Sequence, residues 1–434
     1  MLKMAFTGDC IATSEPKNNY FDNNKVIELL DKCDLVSGNL EMVVSGNKSF
    51  ASTYCGGEWL TIDEDDFEIV KKFGYTYLNT ANNHTMDYSY SGLKVTNEIL
   101  DKNQIIHSGS GEDLHRAEKA VYKKINGDVV AFISCTASGD DASRAGYSTY
   151  DMPGRPGVNM LRHSEVIYAT SEQLRAIDEI AEQTALNARF LKSVKMGIHT
   201  LDPKIHRLGR VQIVEAEKAE KKTYCNKDDL NRIIASVEQA KRHGANYIIM
   251  NAHSHDIKGE TDDTPDDYFI EFAHQCIEAG VTIFIGTGTH QLKGIEIYKN
   301  KPIFYSLGNF MFADEYLKYW SADFTEKFGV TTDISSEELW NLRSRNKTTG
   351  LEFDEMNYKS IIPIAELTDG KIIKLYFYPI ELGFEQKNGK SKGYPYLADE
   401  CTKNGIVERL KLLSKEYKTE FKDLGNKVEI ILNN

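Results

Sequence analysis

The chain is poor in proline, short of positive charge and free of long apolar runs. Only nine of its 434 residues are proline, and neither an internal repeat nor a low-complexity linker interrupts it. Lys and Arg number 52 against 65 Asp and Glu, a net charge of −13 with no compensating basic stripe. A nucleic-acid phosphate track is therefore excluded. No run of about 18 apolar residues exists, so no membrane span is expected. The N-terminus lacks the basic, apolar and small-residue progression of a signal peptide. The seven cysteines (10, 33, 55, 135, 225, 276 and 401) are odd in number and dispersed. With no secretion signal they read as reduced thiols, and the expected location is cytoplasmic. Cys10 follows Asp9 in a candidate site loop, but no base stands beside it in sequence to activate the thiol. Nothing in the sequence sets an oligomeric state.

What is present is an ordinary globular composition, 41% hydrophobic and 27% charged. The length suits two or three domains, or one large α/β domain with an appendage. Residues 1–135 alternate strand-like and helix-like segments. Strand Leu2–Thr7 runs into Asp9, a helix is predicted over Lys25–Lys32, and strand Asp34–Gly38 ends at Asn39-Leu40-Glu41. A helix over Asp63–Phe73 precedes strand Tyr75–Asn79, which ends in Thr80-Ala81-Asn82-Asn83-His84. Helix Tyr90–Asp101, strand Gln104–His107 and a hairpin about Asn126-Gly127 follow. Residues 136–225 break this rhythm, with one long helix predicted over Ser171–Val194. The alternation returns with helix Leu230–His243 and strand Tyr247–Asn251, which leads to Ala252-His253-Ser254-His255. Thr264-Pro265-Asp266-Asp267 starts another helix.

Residues 281–312 are the most informative stretch. A buried strand (Val281 to Ile285) breaks at Gly286, and a glycine-spaced turn presents His290. Strands Ile295–Tyr298 and Ile303–Tyr305 end in Ser306-Leu307-Gly308-Asn309. Residues 315–358 look irregular, a lid or second-face insertion. Hairpin 360–379, helix Gly405–Glu416 and strand Val428–Leu432 close the chain.

Repeatedly a strand ends and residues able to move protons or bind metals appear at once. In α/β sheets such ends converge on one edge. The candidates are Asp9, Asn39, Glu41, Asn83, His84, His253, His255, His290 and Asn309. A single histidine is more often structural than functional, but the set is harder to explain that way. His253 and His255 sit two apart, so on a straight strand both face the same side, and that pair with Asp9, Glu41 and Asn83 is an N/O ligand set suited to Mn, Zn or Fe. The same groups without a metal are acids and bases, and sequence alone does not separate these chemistries. His107, His115, His163, His199, His206, His243 and His274 have no such context and are expected at the surface or in packing.

The chain resembles the CapA family, the poly-γ-glutamate capsule synthesis proteins with a calcineurin-like metallophosphatase fold. The motifs that carry the likeness are Thr7-Gly8-Asp9, Gly38-Asn39-Leu40-Glu41, Ala81-Asn82-Asn83-His84, His253 in a strand-end loop and Gly286 to His290. The most specific is Pro302-Ile303-Phe304-Tyr305-Ser306-Leu307-Gly308-Asn309-Phe310; Arg155 to Asn159 and Leu412-Leu413-Ser414 add to it. The resemblance implies an α/β/β/α sandwich of two mixed sheets with helical insertions, one domain over 1–434, with 136–225 and 313–358 covering the site. By position Asp9, Glu41, Asn83, His253 and His290 are the metal-type residues. His84 matches the histidine that protonates a leaving group. Asn39, His255 and Asn309 are expected to contact substrate. Two departures weaken a dinuclear site: Cys10-Ile11 follows Asp9 where an Asp-x-His start is expected, and Thr287 stands where the family commonly has histidine.

Three functions remain open. A metal-dependent hydrolase of a phosphoester or of an amide in a glutamyl-type polymer comes first, with Asp9, His290 and His84 catalytic. A metal-free two-base epimerase of a residue in a ribosomal peptide, using Asp9 and His290, is the alternative. The third is a non-catalytic subunit of a polyglutamate synthesis complex that binds a peptide or acidic polymer.

Overall fold

The computed structural model describes every residue except 14, 17, 18, 316, 387, 388, 433 and 434. Two mixed sheets dominate it. The first has ten strands. Its main order is Phe421–Asp423, Val428–Ile430, Lys371–Glu381, Lys359–Thr368, Leu2–Ala12, Leu35–Leu40, Tyr77–Asn79 and Ile106–Ser108. Asn309–Ala313 lies parallel to the end of Leu2–Ala12, in the register Asp9↔Asn309. The second sheet runs Ile295–Tyr298, Lys301–Phe304, Ile283–Gly288, Tyr247–Ser254, Asp128–Thr136 and Val121–Ile125. The three strands Asp128–Thr136, Tyr247–Ser254 and Ile283–Gly288 are parallel neighbours.

Alternation along these strands explains both the core and the site. Leu2, Met4, Phe6, Leu35 and Tyr77 of the first sheet share one buried cluster with Val130, Phe132, Tyr247, Ile249, Ile283 and Ile285 of the second. Tyr77 stacks on Phe132 with ring centres 4.0 Å apart. Each such fully buried side chain contributes about 1.5–3 kcal/mol. Successive residues on one face are two apart, so the inner positions continue to Ser37 and Asn39, to Ser134, and to Asn251 and His253. The layer between the sheets is thus apolar where the strands begin and polar where they end.

The outer faces are covered by helices. Lys227–Arg242 and Asp267–Ala279 pack on the second sheet, through Ile233, Val237, Phe269 and Phe272. Lys25–Leu30 and Ser89–Lys102 pack on the first through Val26, Leu29, Ile99 and Leu100. The α/β/β/α order expected from the sequence is what the chain builds. Among the described residues no helix is long and apolar enough to cross a membrane.

Several local expectations need correction. The long helix over Ser171–Val194 is two helices, Ser171–Gln183 and Ala188–Lys195. Thr184 Oγ1 donates to Ile180 O, Ala185 turns to φ 52°, and the Asn187 amide is held by Arg207 O and Gly209 N. The stretch 205–225 carries no strand pattern in sequence, yet Ile205–Leu208, Val211–Glu215 and Glu220–Cys225 join His163–Ala169 in a four-stranded sheet of their own. The lid region is less irregular than expected. It contains helices Ala322–Lys327 and Ser336–Arg343, the second opened by a Ser335/Glu338 capping box. The helix over Asp63–Phe73 contracts to Glu68–Lys71. Strand Asn309–Ala313 was missed, because a run of five buried residues shows no alternation.

Candidate metal centre

The expected site residues come from six strands and the loops beside them. Leu2–Ala12 carries Asp9, and Leu35–Leu40 carries Asn39 with Glu41 just beyond. Asn83 and His84 follow Tyr77–Asn79, His290 follows Ile283–Gly288, and Asn309 opens its own strand. His253 lies inside strand Tyr247–Ser254 rather than in a loop after it. Asp9, Glu41, His253 and Asn309 are wholly buried, and His290 is 5% exposed.

Local backbone needs explain two of the motifs. Asp9 N donates to Gly308 O at 3.0 Å, and a Cβ on Gly8 would lie 1.8 Å from that oxygen. Gly8 and the Ser306–Asn309 turn therefore fit only each other. His290 holds a left-handed φ of 60°, an uncommon conformation for a buried histidine. Its Nδ1 lies 2.9 Å from Asn309 Oδ1, and the register of Asn309 beside Asp9 sets that partner in place.

Asn39 is the hub of the cluster. Its Nδ2 donates to Asp9 Oδ1 at 2.7 Å, while its Oδ1 accepts from Asn79 Nδ2 at 2.8 Å and Asn82 Nδ2 at 3.1 Å. Asp9 Oδ2 accepts from Gly288 N at 3.0 Å. His253 Nδ1 lies 3.3 Å from Asn39 Nδ2 and 3.0 Å from Thr287 Oγ1, and its Nε2 lies 2.8 Å from Asn83 Oδ1. His255, anchored by its backbone N to Ser138 Oγ, brings Nε2 to 3.2 Å from His253 Nε2.

Asn39 and Asn309, expected to contact substrate, have their amides committed inside the protein. Asn309 Nδ2 donates to Asn357 O at 3.0 Å while its Oδ1 faces His290. Both orient site residues from behind. Cys10 faces the opposite way, into the apolar cluster of the first sheet, where burial pushes its thiol far up.

Glu41 is the residue whose surroundings are most telling. Its Oε1 is buried with no hydrogen-bond partner. Two imidazole nitrogens face it, His253 Nε2 at 3.5 Å and His255 Nε2 at 3.7 Å. Burial, then Asp9, pushes the Glu41 carboxyl far above its ordinary range. Burial holds His253 and His255 far below theirs, with neighbouring histidines adding to the effect. His290 is also lowered by burial, against the opposing pull of Asp9. Concentrated, desolvated groups of this kind mark functional sites more often than structural ones.

The donor set can be tested against a metal. Ligands at about 2.1 Å in tetrahedral or octahedral geometry stand roughly 3.0–3.4 Å apart. The triangle of Glu41 Oε1, His253 Nε2 and His255 Nε2 has edges of 3.2, 3.5 and 3.7 Å. A second triad, Asp9, Glu41 and His290, has its ligand atoms within 4.8 Å of one another and shares Glu41 with the first. The residues fit a metal ion. Thr287, where a further imidazole was expected, has its hydroxyl beside His253 Nδ1, so it orients a ligand rather than supplying one.

Sequence reasoning missed the support of His84. Its Nδ1 lies 2.7 Å from Asp87 Oδ2, a wholly buried carboxylate that also accepts from Gly56 N and Leu60 N, each at 2.9 Å. The His-x-x-Asp spacing was visible and could have signalled the pair. The seven histidines set aside lie outside the cluster: His274 meets Glu296, His206 meets Asp178, His107 meets Asp101, His163 stacks on Tyr268, His199 stacks on Phe190, His115 lies tilted against Tyr147, and His243 lies near Tyr122.

Residues 3–314 match the family described as Bacterial capsule synthesis protein PGA_cap. The chain belongs to that family. An uncharacterized protein, y4sH of Sinorhizobium fredii, is 30% identical over 429 residues, covering 96% of this chain and 90% of the relative. The PGA biosynthesis protein CapA of Bacillus subtilis is 25% identical over 280 residues, 64% of this chain, and the match spans 53% of that protein. Among solved structures, the calcineurin-like phosphoesterase YfkN of Bacillus subtilis aligns over 96% of this chain and 98% of that one, with 12% identity and a TM-score of 0.31.

Proposed function

We propose that the chain is a metal-dependent hydrolase within the capsule-synthesis family, acting on a phosphoester or on an amide of a glutamyl polymer. The observation that carries this reading is the partnerless Glu41 Oε1, buried and faced by two imidazole nitrogens. Glu41, His253 and His255, with Asn83 beside them, would hold a Mn, Zn or Fe ion, and Asp9 and His290 would share Glu41 at a second position. When bound, such an ion brings the pKa of its water towards neutrality and polarises a substrate oxygen.

The chain's own residues do the rest. Thr287 and Asn39 fix the ring of His253, and Asn309 accepts from His290 Nδ1, which leaves Nε2 as the basic nitrogen of that ring. Asp87 holds His84 Nδ1–H, leaving Nε2 to deliver a proton to the leaving group. The glutamyl substrate class is suggested by the name of the Bacillus subtilis relative, PGA biosynthesis protein CapA.

Epimerisation by Asp9 and His290 is less well supported. Asp9 Oδ2 lies 3.8 Å from His290 Nδ1. A two-base reaction needs a free base on each side of a substrate carbon, and both Asp9 oxygens already accept hydrogen bonds, from Asn39 Nδ2 and Gly288 N. The test is hydrolysis of p-nitrophenyl phosphate and of a γ-glutamyl oligomer by purified protein supplied with Mn or Zn. Turnover that vanishes with chelator and in His253→Ala is expected. Protein that takes up no metal and hydrolyses neither probe would end the hydrolase reading.

A further inference from the structure

The loop over residues 51–60 lies between the His84–Asp87 pair and the 313–358 insertion. On the site side Gly56 O accepts from Asn83 Nδ2 at 2.8 Å, and Gly56 N and Leu60 N each donate to Asp87 at 2.9 Å. The loop sits against the imidazole itself: a Cβ on Gly56 would lie 2.8 Å from His84 Cδ2 and 2.6 Å from Asn83 Nδ2. No space separates the loop from the two residues it touches.

On its other side the same loop is gripped by the insertion. Trp59 meets Phe324 edge-on at 6.2 Å. Glu58 is bonded to Arg343, the last residue of helix Ser336–Arg343. That guanidinium also bonds Glu352, approaches Asp314 Oδ2 at 3.6 Å and lies 4.9 Å from the Trp340 ring centre. Three carboxyl groups converge on it. Among the described residues no other cation lies within ion-pair distance of Glu58 or Asp314. A buried ion pair that loses one partner leaves an uncompensated charge, and the remaining group must move or take up a proton. Gly56 is two residues from Glu58 along the chain, so a shift of the Glu58 backbone draws on the contacts of Gly56 with Asn83 and Asp87.

We infer that Arg343 is a positioning residue for the candidate site. Through Glu58 it holds the Gly56 loop on Asn83 and Asp87, and so sets the orientation of His84. The contact spans 285 residues of sequence. The catalytic importance of that orientation rests on the hydrolase reading. The positioning itself does not.

Hydrogen–deuterium exchange of the full chain, read peptide by peptide, tests the inference. Arg343→Met is expected to raise exchange at least tenfold in segments 54–60 and 82–88, with no change in strands Tyr247–Ser254 and Ile283–Gly288. Arg343→Lys restores much of the protection by returning a cation to Glu58. Glu58→Gln reproduces the local effect, and the double variant exchanges no faster than Arg343→Met alone. Faster exchange confined to 322–358, or spread evenly through the core strands, would overturn the inference. So would a Lys variant indistinguishable from Met. Metal content, measured on the same samples, reports separately on the hydrolase reading. A wild-type chain without metal would leave the exchange pattern decisive for Arg343.

Discussion

The two segments that interrupt the α/β alternation are built in opposite ways. Residues 322–353 have no sheet of their own and spend their side chains on the main body. Phe324 and Leu339 enter the apolar cluster of the first sheet, Arg343 takes Glu58, and just beyond, Asp354 accepts from Gln291 beside His290. Residues 163–225 instead make a four-stranded sheet and a small core of Ala169, Leu174 and Ile213. That unit leans on the body near Tyr268 and leaves Leu186, Leu191, Met196, Ile198 and Leu201 from 45% to 64% exposed. Helix Ala188–Lys195 buries none of its residues. One insertion is part of the site's scaffold. The other has a sheet and small core of its own and joins the body through Thr223 and Cys225 against Asp266 and Tyr268.

Excision should break this comparison most visibly. Replacing 322–350 by a short Gly-Ser linker removes Phe324, Leu339 and Trp340, three buried side chains worth about 1.5–3 kcal/mol each, and exposes the apolar surface they cover. Calorimetry should find a loss of cooperative unfolding or a fall in Tm well beyond 10 °C. Joining Val166 to Lys222 through an Asn-Gly turn removes the other unit at a point where the two strands already pair. Its Tm should stay within a few degrees of the intact chain, with metal uptake unchanged.

A smaller effect is expected from Gly56→Ala, which places a methyl within 2.8 Å of Asn83 and His84. Overpacking of this kind costs about 1–3 kcal/mol. Denaturant unfolding measures it, and a change below about 0.5 kcal/mol would mean the loop is free to shift.

The two insertions should also respond differently to pH. Burial, then Glu352, raises the Asp314 carboxyl well above 3.8, and burial raises Glu58 above 4.5. A carboxyl whose folded pKa exceeds its unfolded one contributes stability below the unfolded value and loses it as pH rises. Exchange within 322–350, corrected for intrinsic rates, should therefore be faster at pH 8 than at pH 5. The 163–225 unit should show no such trend. Equal responses in the two would sink this account of the ionic cluster. The smallest change is Leu191→Glu on the exposed helix, which should alter unfolding free energy by no more than about 0.5 kcal/mol.

Much of the site was legible in the sequence because parallel sheets put strand ends together. Asp9, Glu41, Asn83, His253 and His290 needed only the strands to be recognised for their convergence to follow. His255 was placed near the site, but its role beside Glu41 depends on how the chain leaves strand Tyr247–Ser254. Period two, continued past that strand's end, sends both histidines to one side without saying what they face. Asn39 and Asn309 could not be told from substrate contacts, since burial of an amide is a tertiary fact. The grip of Arg343 on Glu58 was invisible, because no local pattern links positions 285 residues apart. The small sheet was missed since its strands are short, charged and half exposed, and carry little apolar alternation.

The central claim is that Glu41, His253 and His255 form a metal centre. Elemental analysis of the intact protein, purified without chelator and then equilibrated with Mn or Zn, tests it most directly. The account predicts at least one tightly held ion per chain in the wild type and its loss in His253→Ala, with the fold retained by circular dichroism. A wild-type chain that holds no ion under these conditions, or a His253→Ala variant that holds as much as wild type, would contradict it.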